Sequence, residues 1–207
     1  MSKLKIGIVD YGAGNIKSIQ NAFSILGIHN VTLAKSEENL ERADALILPG
    51  VGAFANCARN LRMSGLLPTL QELVLAKSVP ILGICVGMQL FFESSTEEGF
   101  CKGLDWIPGT VEGINPPTGF KIPHVGWNQI TIVQKNTIYN STAEGTNFYF
   151  DHSYAVKCDQ QFISGTTYHG VEIVASIEKA NIHGVQFHPE KSGKSGLKTL
   201  RAFVNRV

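Results

Sequence analysis

Cys85 stands between two glycines in Val79-Pro80-Ile81-Leu82-Gly83-Ile84-Cys85-Val86-Gly87-Met88-Gln89, a G-x-C-x-G pattern at the end of an apolar run. A cysteine at a sharp strand-to-helix turn can act as a nucleophile. The turn presents the sulfur, and the free N–H groups of a helix over 86–92 would stabilise its thiolate. Glycines suit the flanking positions because side chains there would collide with neighbouring backbone. Taken alone, Cys85 is equally readable as a buried structural thiol, one of the commonest fully buried residue types.

A base and a residue to orient it occur far downstream, in Gln186-Phe187-His188-Pro189-Glu190-Lys191-Ser192. A last strand over 182–187 ends where Pro189 removes a donor and fixes φ. His188 and Glu190 follow at i and i+2, positions that project the same way from an extended chain. The carboxylate can hold one imidazole nitrogen and leave the other facing Cys85. By itself His-Pro-Glu is also an ordinary exposed turn. With the cysteine turn, it completes a nucleophile, a base and an orienting carboxylate.

The elements that must position these groups alternate at first. Strands over 4–10, 31–33, 45–48 and 79–84 are separated by helical patterns over 16–26, 36–43, 54–63 and 68–76, with Ser36 as an N-cap. This order predicts a parallel sheet covered on both faces and a site at the carboxyl ends of its strands. Gly12 and Gly14 after the first strand lack the third glycine of a dinucleotide fingerprint, since Lys17 stands there, so the loop reads as a tight exposed turn. Pro49-Gly50-Val51-Gly52 ends the third strand with bare backbone. An oxyanion hole needs one N–H from the residue after the nucleophile, Val86, and one from such a loop, at Gly50 or Val51.

From residue 93 the pattern changes to a polar loop over 93–99 and then short strands over 121–123, 129–133, 147–154, 162–168, 173–177 and 182–187. Short connections predict an antiparallel extension of the parallel sheet. A helix over 195–207 closes the chain.

At 207 residues the chain suits one α/β domain, here taken as 1–207. A net charge of +1, with 17% charged residues, offers no electrostatic footprint for nucleic acid or a membrane surface. Met1-Ser2-Lys3 leads into a strand without the apolar core of a signal peptide, and no apolar run approaches spanning length, so a cytoplasmic protein is expected. Cys57, Cys85, Cys101 and Cys158 show neither C-x-x-C pairing nor zinc-ligand spacing, so neither disulfides nor a metal is expected. His29, His169 and His183 read as turn or surface residues.

Taken in order, Pro49-Gly50-Val51-Gly52, the Cys85 turn and the segment from Gln186 to Ser192 resemble the class I (triad) glutamine amidotransferases. Asp10-Tyr11-Gly12-Ala13-Gly14-Asn15, Pro123-His124-Val125-Gly126-Trp127-Asn128 and Tyr149-Phe150-Asp151-His152-Ser153-Tyr154 are similar, more narrowly, to the branch that forms the glutaminase subunits of imidazole glycerol phosphate synthases, enzymes of histidine biosynthesis. The match spans essentially the whole chain. It implies a three-layer α/β fold with an antiparallel extension and glutamine hydrolysis without a cofactor. Cys85 would form a thioester, His188 would move the proton and Glu190 would orient His188, while Gln89 and Glu97 would hold L-glutamine. It also implies a heterodimer with a (β/α)₈-barrel synthase that receives the ammonia. Asn15, Trp127, Tyr149 and Lys191 would face that barrel, Lys191 pairing with a carboxylate across the interface, and the peptide at Gly50-Val51 would act as a switch set by the partner.

Two residues depart from the branch pattern. Asp151 stands where an apolar residue is usual, and Ala155 where a larger one is common. A carboxylate beside His152 is expected to raise its pKa or to contact a different partner surface. The alternative within the class is a paralogous subunit that feeds ammonia to a barrel in surface-sugar biosynthesis. A cysteine peptidase on the same scaffold is opposed by Gln89, Glu97 and the His188-x-Glu190 spacing, and an inactive binding module by the intact triad.

Overall fold

The computed structural model describes residues 4–134, 138–140 and 142–207. The Met1-Ser2-Lys3 lead into the first strand lies outside the described residues. Strands β1 (Ile6–Val9), β3 (Ala45–Gly50) and β4 (Ile81–Cys85) are buried along their whole lengths. That is what continuous apolar runs require when helices cover both faces of a sheet. The edge strand β2 (Val31–Ala34) is only partly buried.

Four helical stretches connect these strands: α1 (Ile16–Ile25), α2 (Glu37–Glu41), α3 (Phe54–Met63), and α4 (Leu67–Gln71) running into a π-helical turn at Glu72–Ala76. Ser36 caps α2 by accepting the Asn39 N–H at 3.3 Å.

The later half supplies β8 (His124–Ile132), β9 (Asn147–His152), β11 (Ile163–Tyr168), β12 (Glu172–Lys179), β13 (Ile182–Val185) and the closing helix α6 (Gly193–Val204). One sheet of nine strands runs β2-β1-β3-β4-β13-β12-β11-β8-β9. It is parallel from β2 to β13 and antiparallel from there to β9. Right-handed crossovers place α1 on one face and α2, α3 and α4 on the other, because the strand order reverses at β1. Helix α6 packs beside α1. The reversal opens a crevice at the carboxyl ends of β1 and β3, next to the end of β4.

The structure corrects several expectations. The helix expected over 86–92 is a single turn, α5 (Val86–Gln89), and Phe92 begins a strand, β5 (Phe92–Ser95), inside what read as a polar loop. Backbone pairing from elsewhere wins: the N–H groups of Leu104 and Gly103 reach the carbonyls of Leu90 and Glu93 at 2.8 Å, and Trp106 stacks on Phe91. A second sheet of four strands, β10-β7-β5-β6, forms from β5, β6 (Cys101–Lys102), β7 (Ile107–Gly113) and β10 (Tyr154–Lys157). Its β5 and β7 are parallel despite their closeness in sequence.

Residues 121–123 do not form a strand; β8 starts after Pro123, which has no N–H to give a ladder. The strand expected over 147–154 breaks at Ser153, where the chain leaves the large sheet for the small one. Phe148 stacks on Phe187 at 4.1 Å and Phe150 meets it edge-on, so β9 clamps the residue that precedes His188.

Candidate active site

Strand β4 ends at Cys85 with φ of 54°, a left-handed conformation that costs a non-glycine residue on the order of 1–3 kcal/mol. The flanking glycines are needed for space. A Cβ on Gly87 would fall 1.9 Å from the Leu48 carbonyl oxygen, and one on Gly83 would fall 2.7 Å from the Met88 backbone. With α5 only four residues long, the dipole support expected for a Cys85 thiolate shrinks to one turn.

The partner of the sulfur arrives from β13. His188 is 3% exposed, and its Nδ1 lies 2.9 Å from Glu190 Oε1, itself on a buried side chain. The ring is also close enough to Cys85 for the sulfur to act on its charge. Burial alone would pull His188 down, but the bonds and charges of Cys85 and Glu190 outweigh it and push the imidazole up to about 10. The pair with Glu190 therefore favours the protonated ring beside the sulfur.

Two residues that sequence reasoning missed hold this pair in place. Ser192 Oγ donates to the His188 carbonyl at 2.7 Å and accepts the Tyr149 N–H at 2.9 Å, while the His188 N–H donates to Tyr149 O at 2.8 Å. Gln186, fully buried, points its Nε2 at Cys85 Sγ from 3.6 Å and accepts Gln89 Nε2 on its Oε1 at 3.0 Å. The signal for Gln186 was its i−2 spacing from His188, which puts both on one side of the chain.

A pocket of about 270 Å³ opens over the sulfur, lined among others by Val51, Cys85, Val86, Gln89, Glu97 and Tyr154. A larger groove of about 440 Å³ lies between the two sheets, but its cysteine, Cys158, is pushed up to about 11 by burial and Asp159, which disfavours a thiolate there. Gly50 pairs in register with Cys85 and lies so close to α5 that a Cβ would fall 2.4 Å from the Gly87 nitrogen. Of the candidate oxyanion residues, Val86 lines the pocket with Cys85, and across from it Val51 lines it too, next to Gly50. The loop carrying them is pinned: Tyr11 Oη donates to Pro49 O at 2.6 Å and Cys57 Sγ to Val51 O at 3.4 Å. Tyr11 is consequently buried, unlike the exposed turn expected for its loop.

Gln89 is buried and gives its Nε2 hydrogens to Gln186 and to Tyr154 O, which leaves Oε1 as the atom it can offer a ligand. Glu97 lines the pocket with one carboxylate oxygen on the Phe54 N–H at 2.8 Å, satisfying the start of α3, which Ala53 leaves without a side-chain cap.

The candidate interface residues lie on the outer side of the β8 and β9 ribbon, apart from Asn15, which is half-buried at the start of α1. Trp127, 58% exposed, pairs in register with Tyr149 and meets it edge-on at 6.2 Å. Lys191 sits over the Tyr149 ring at 5.4 Å and 4.0 Å from Asp151. The carboxylate of Asp151 therefore turns to Lys191 and not to its neighbour. His152 is lowered, to about 4, chiefly by burial, opposite to the rise expected from Asp151. His183 is also corrected, being buried in β13 beside Glu178, whereas His169 lies in a turn after β11, as expected, and stacks on His124.

All four cysteines are free thiols. Among the described residues no group of three or more His, Cys, Asp or Glu side chains is arranged to hold a metal, and no helix is long and apolar enough to cross a membrane.

Comparison with known proteins agrees with this geometry. The glutamine amidotransferase class-I family matches residues 7–207. The chain is 42% identical over 204 residues to imidazole glycerol phosphate synthase subunit HisH 2 of Vibrio vulnificus, covering 99% of this chain and 95% of that one. It is 44% identical over 199 residues to subunit HisH 1 of Campylobacter jejuni, covering 96% and 98%. In fold, it matches a crystal structure of a glutamine amidotransferase with a TM-score of 0.75 at 16% identity, over 97% of each chain. PurLQS from Thermotoga maritima matches with a TM-score of 0.68 at 20% identity, over 99% of each chain. With the family matched over nearly the whole chain and a buried histidine set between a glutamate and the pocket cysteine, this protein belongs to the class-I glutamine amidotransferases.

Proposed function

We propose that the chain, residues 1–207 acting as one domain, is the cytoplasmic glutaminase subunit of an imidazole glycerol phosphate synthase. The observation that carries this reading is the buried His188–Glu190 pair beside Cys85, which itself lines a pocket, in a chain over 40% identical end to end to HisH subunits.

The Cys85 thiolate attacks the side-chain amide carbon of L-glutamine. The developing oxyanion is met by N–H groups of Val86 and of Gly50 or Val51. As the C–N bond breaks, His188 gives its proton to the departing nitrogen, and ammonia leaves a glutamyl thioester on Cys85. His188 then takes a proton from water, whose oxygen displaces the sulfur and releases glutamate. Glu190 keeps the ring oriented through both steps. Glu97 and Gln89 Oε1 hold the substrate's polar groups. Ammonia passes to a (β/α)₈-barrel synthase docked over Trp127, Tyr149, Lys191 and Asn15, with the loop at Gly50 and Val51 responding to that partner.

The test is glutamate release from glutamine by the chain alone and with a histidine-pathway barrel synthase and its nucleotide ligand, with Cys85→Ala as control. Release that the partner strongly stimulates and Cys85→Ala abolishes is expected. Release indifferent to that partner would move the chain to another ammonia acceptor, and no release under any condition would overturn the reading.

A further inference from the structure

The inner side of the β8 and β9 ribbon carries a pair of side chains that the thioester chemistry does not use. Register sets His124 opposite His152, with His124 Nδ1 3.0 Å from His152 Nε2. His152 Nδ1 lies 2.8 Å from Tyr154 O, which can only accept, so Nδ1 carries the proton and Nε2 is bare. A bare Nε2 takes the proton of His124 Nδ1. His124 Nε2 then accepts from Asn128 Nδ2 at 3.1 Å, whose second hydrogen goes to Tyr168 O at 2.9 Å. Every atom has one consistent role only when both rings are neutral, because a further proton would set two N–H groups against each other.

What this chain of bonds holds is the pocket wall. Residues 151–154 all line the pocket, the Asp151 carbonyl lies 4.0 Å from Cys85 Sγ, and Tyr154 O accepts both His152 Nδ1–H and Gln89 Nε2–H. The wall includes Ser153, where the chain passes from one sheet to the other, and its backbone is tied there by the Ile114 N–H on the Ser153 carbonyl at 2.9 Å. We propose that His152, kept neutral by His124 and Asn128 behind it, is a positioning residue that fixes the 151–154 wall, so that a proton on either ring loosens the seat of glutamine without disabling Cys85. This rests on the glutaminase reading.

The surroundings favour the neutral state. Burial, with the neighbouring imidazoles, lowers His124 to about 3, and burial lowers His152 to about 4. The groups that face the pair are His169 stacked on His124, His188 beyond His152, and Cys85, Glu97 and Asp151 around the pocket. Both carboxylates are engaged elsewhere, Glu97 with the Phe54 N–H and Asp151 with Lys191.

The experiment compares wild type, His124→Ala, His124→Asn and Asn128→Ala, each with the synthase partner present. For His124→Ala, KM for glutamine should rise about tenfold while kcat at about pH 8 stays within about twofold. Its kcat/KM should also gain an acid limb near pH ~6, where a wetted His152 titrates. His124→Asn, whose amide can donate where Nδ1–H stood, should recover both, and Asn128→Ala should move KM the same way by about threefold. Alkylation of Cys85 by iodoacetamide should keep its pH dependence throughout. An unchanged KM and pH profile in both alanine variants would overturn the proposal, as would a loss confined to kcat that His124→Asn does not repair. A wild type that releases no glutamate would overturn the glutaminase reading, and this inference with it, before any variant is compared.

Discussion

His188 with Glu190, and His124 with His152, are two buried hydrogen-bonded pairs beside the Cys85 pocket, and their imidazoles are shifted in opposite directions. His188 is raised because its bonds and charge interactions with Cys85 and Glu190 outweigh burial; His124 and His152 are lowered chiefly by burial, with no carboxylate hydrogen-bonded to either ring to offset it. Burial penalises the imidazolium in both places. What differs is whether a negative partner compensates. The same residue type is therefore suited to carry a proton in one place and, on our proposal, to act as a rigid spacer in the other.

Breaking the charged pair should have the largest effect. His188→Gln removes the proton carrier and is expected to cost at least ~10⁴-fold in kcat, measured as glutamate release at saturating glutamine. Glu190→Gln keeps a hydrogen-bonding group but loses the charge that holds His188 protonated. We expect a loss of ~10²–10⁴-fold, with the pH dependence of Cys85 alkylation displaced. An alkylation profile identical to wild type would refute the electrostatic role of Glu190.

Stability against pH separates the pairs by sign. His152 is depressed from 6.5 to about 4, so its contribution is complete above pH 6.5 and is lost as pH falls below that value, where only the unfolded chain takes the proton. This amounts to about 2–3 kcal/mol once pH reaches the lowered pKa. His188 is raised from 6.5 to about 10, so its contribution is complete below pH 6.5 and is lost as pH rises through about 10. Urea denaturation at several pH values should show His124→Ala flattening the acid side and His188→Gln the alkaline side. The reverse assignment would refute the protonation states.

Smaller effects test the supports. Ser192→Ala leaves the Tyr149 N–H without its acceptor and should cost about 1–2 kcal/mol in stability and on the order of tenfold in kcat. Asp151→Ala should change the activity of the lone chain by less than about twofold, because its pair with Lys191 is long and solvent-exposed. A large effect would mean that Asp151 acts on the pocket itself.

Local chemistry made the charged half of this comparison readable from residue order. Cys85 between its glycines, His188 and Glu190 two residues apart, and the unbroken apolar runs of β1, β3 and β4 each need only a short segment to interpret. The boundaries of α3 were legible for the same reason, since its apolar face and flanks are local. The site was less legible where one residue serves several elements. Gln186 touches both Gln89 and Cys85, and Ser192 joins Tyr149 to His188; the i−2 spacing puts Gln186 on the side of His188 but does not name the partners it meets there.

The sequence by itself singled out the candidate nucleophile, base and orienting carboxylate, and it determined the alternating parallel half of the fold. Only the tertiary structure decided where α5 stops, since backbone donors from 103–107 claim the carbonyls that a longer helix would have used. It alone decided that 147–154 divides between two sheets and that Asp151 turns outward to Lys191. It also decided the charge of His152. That charge depends on the register that brings His124 across from it and on burial by residues far away in the chain, and neither is a property of the segment in which His152 lies.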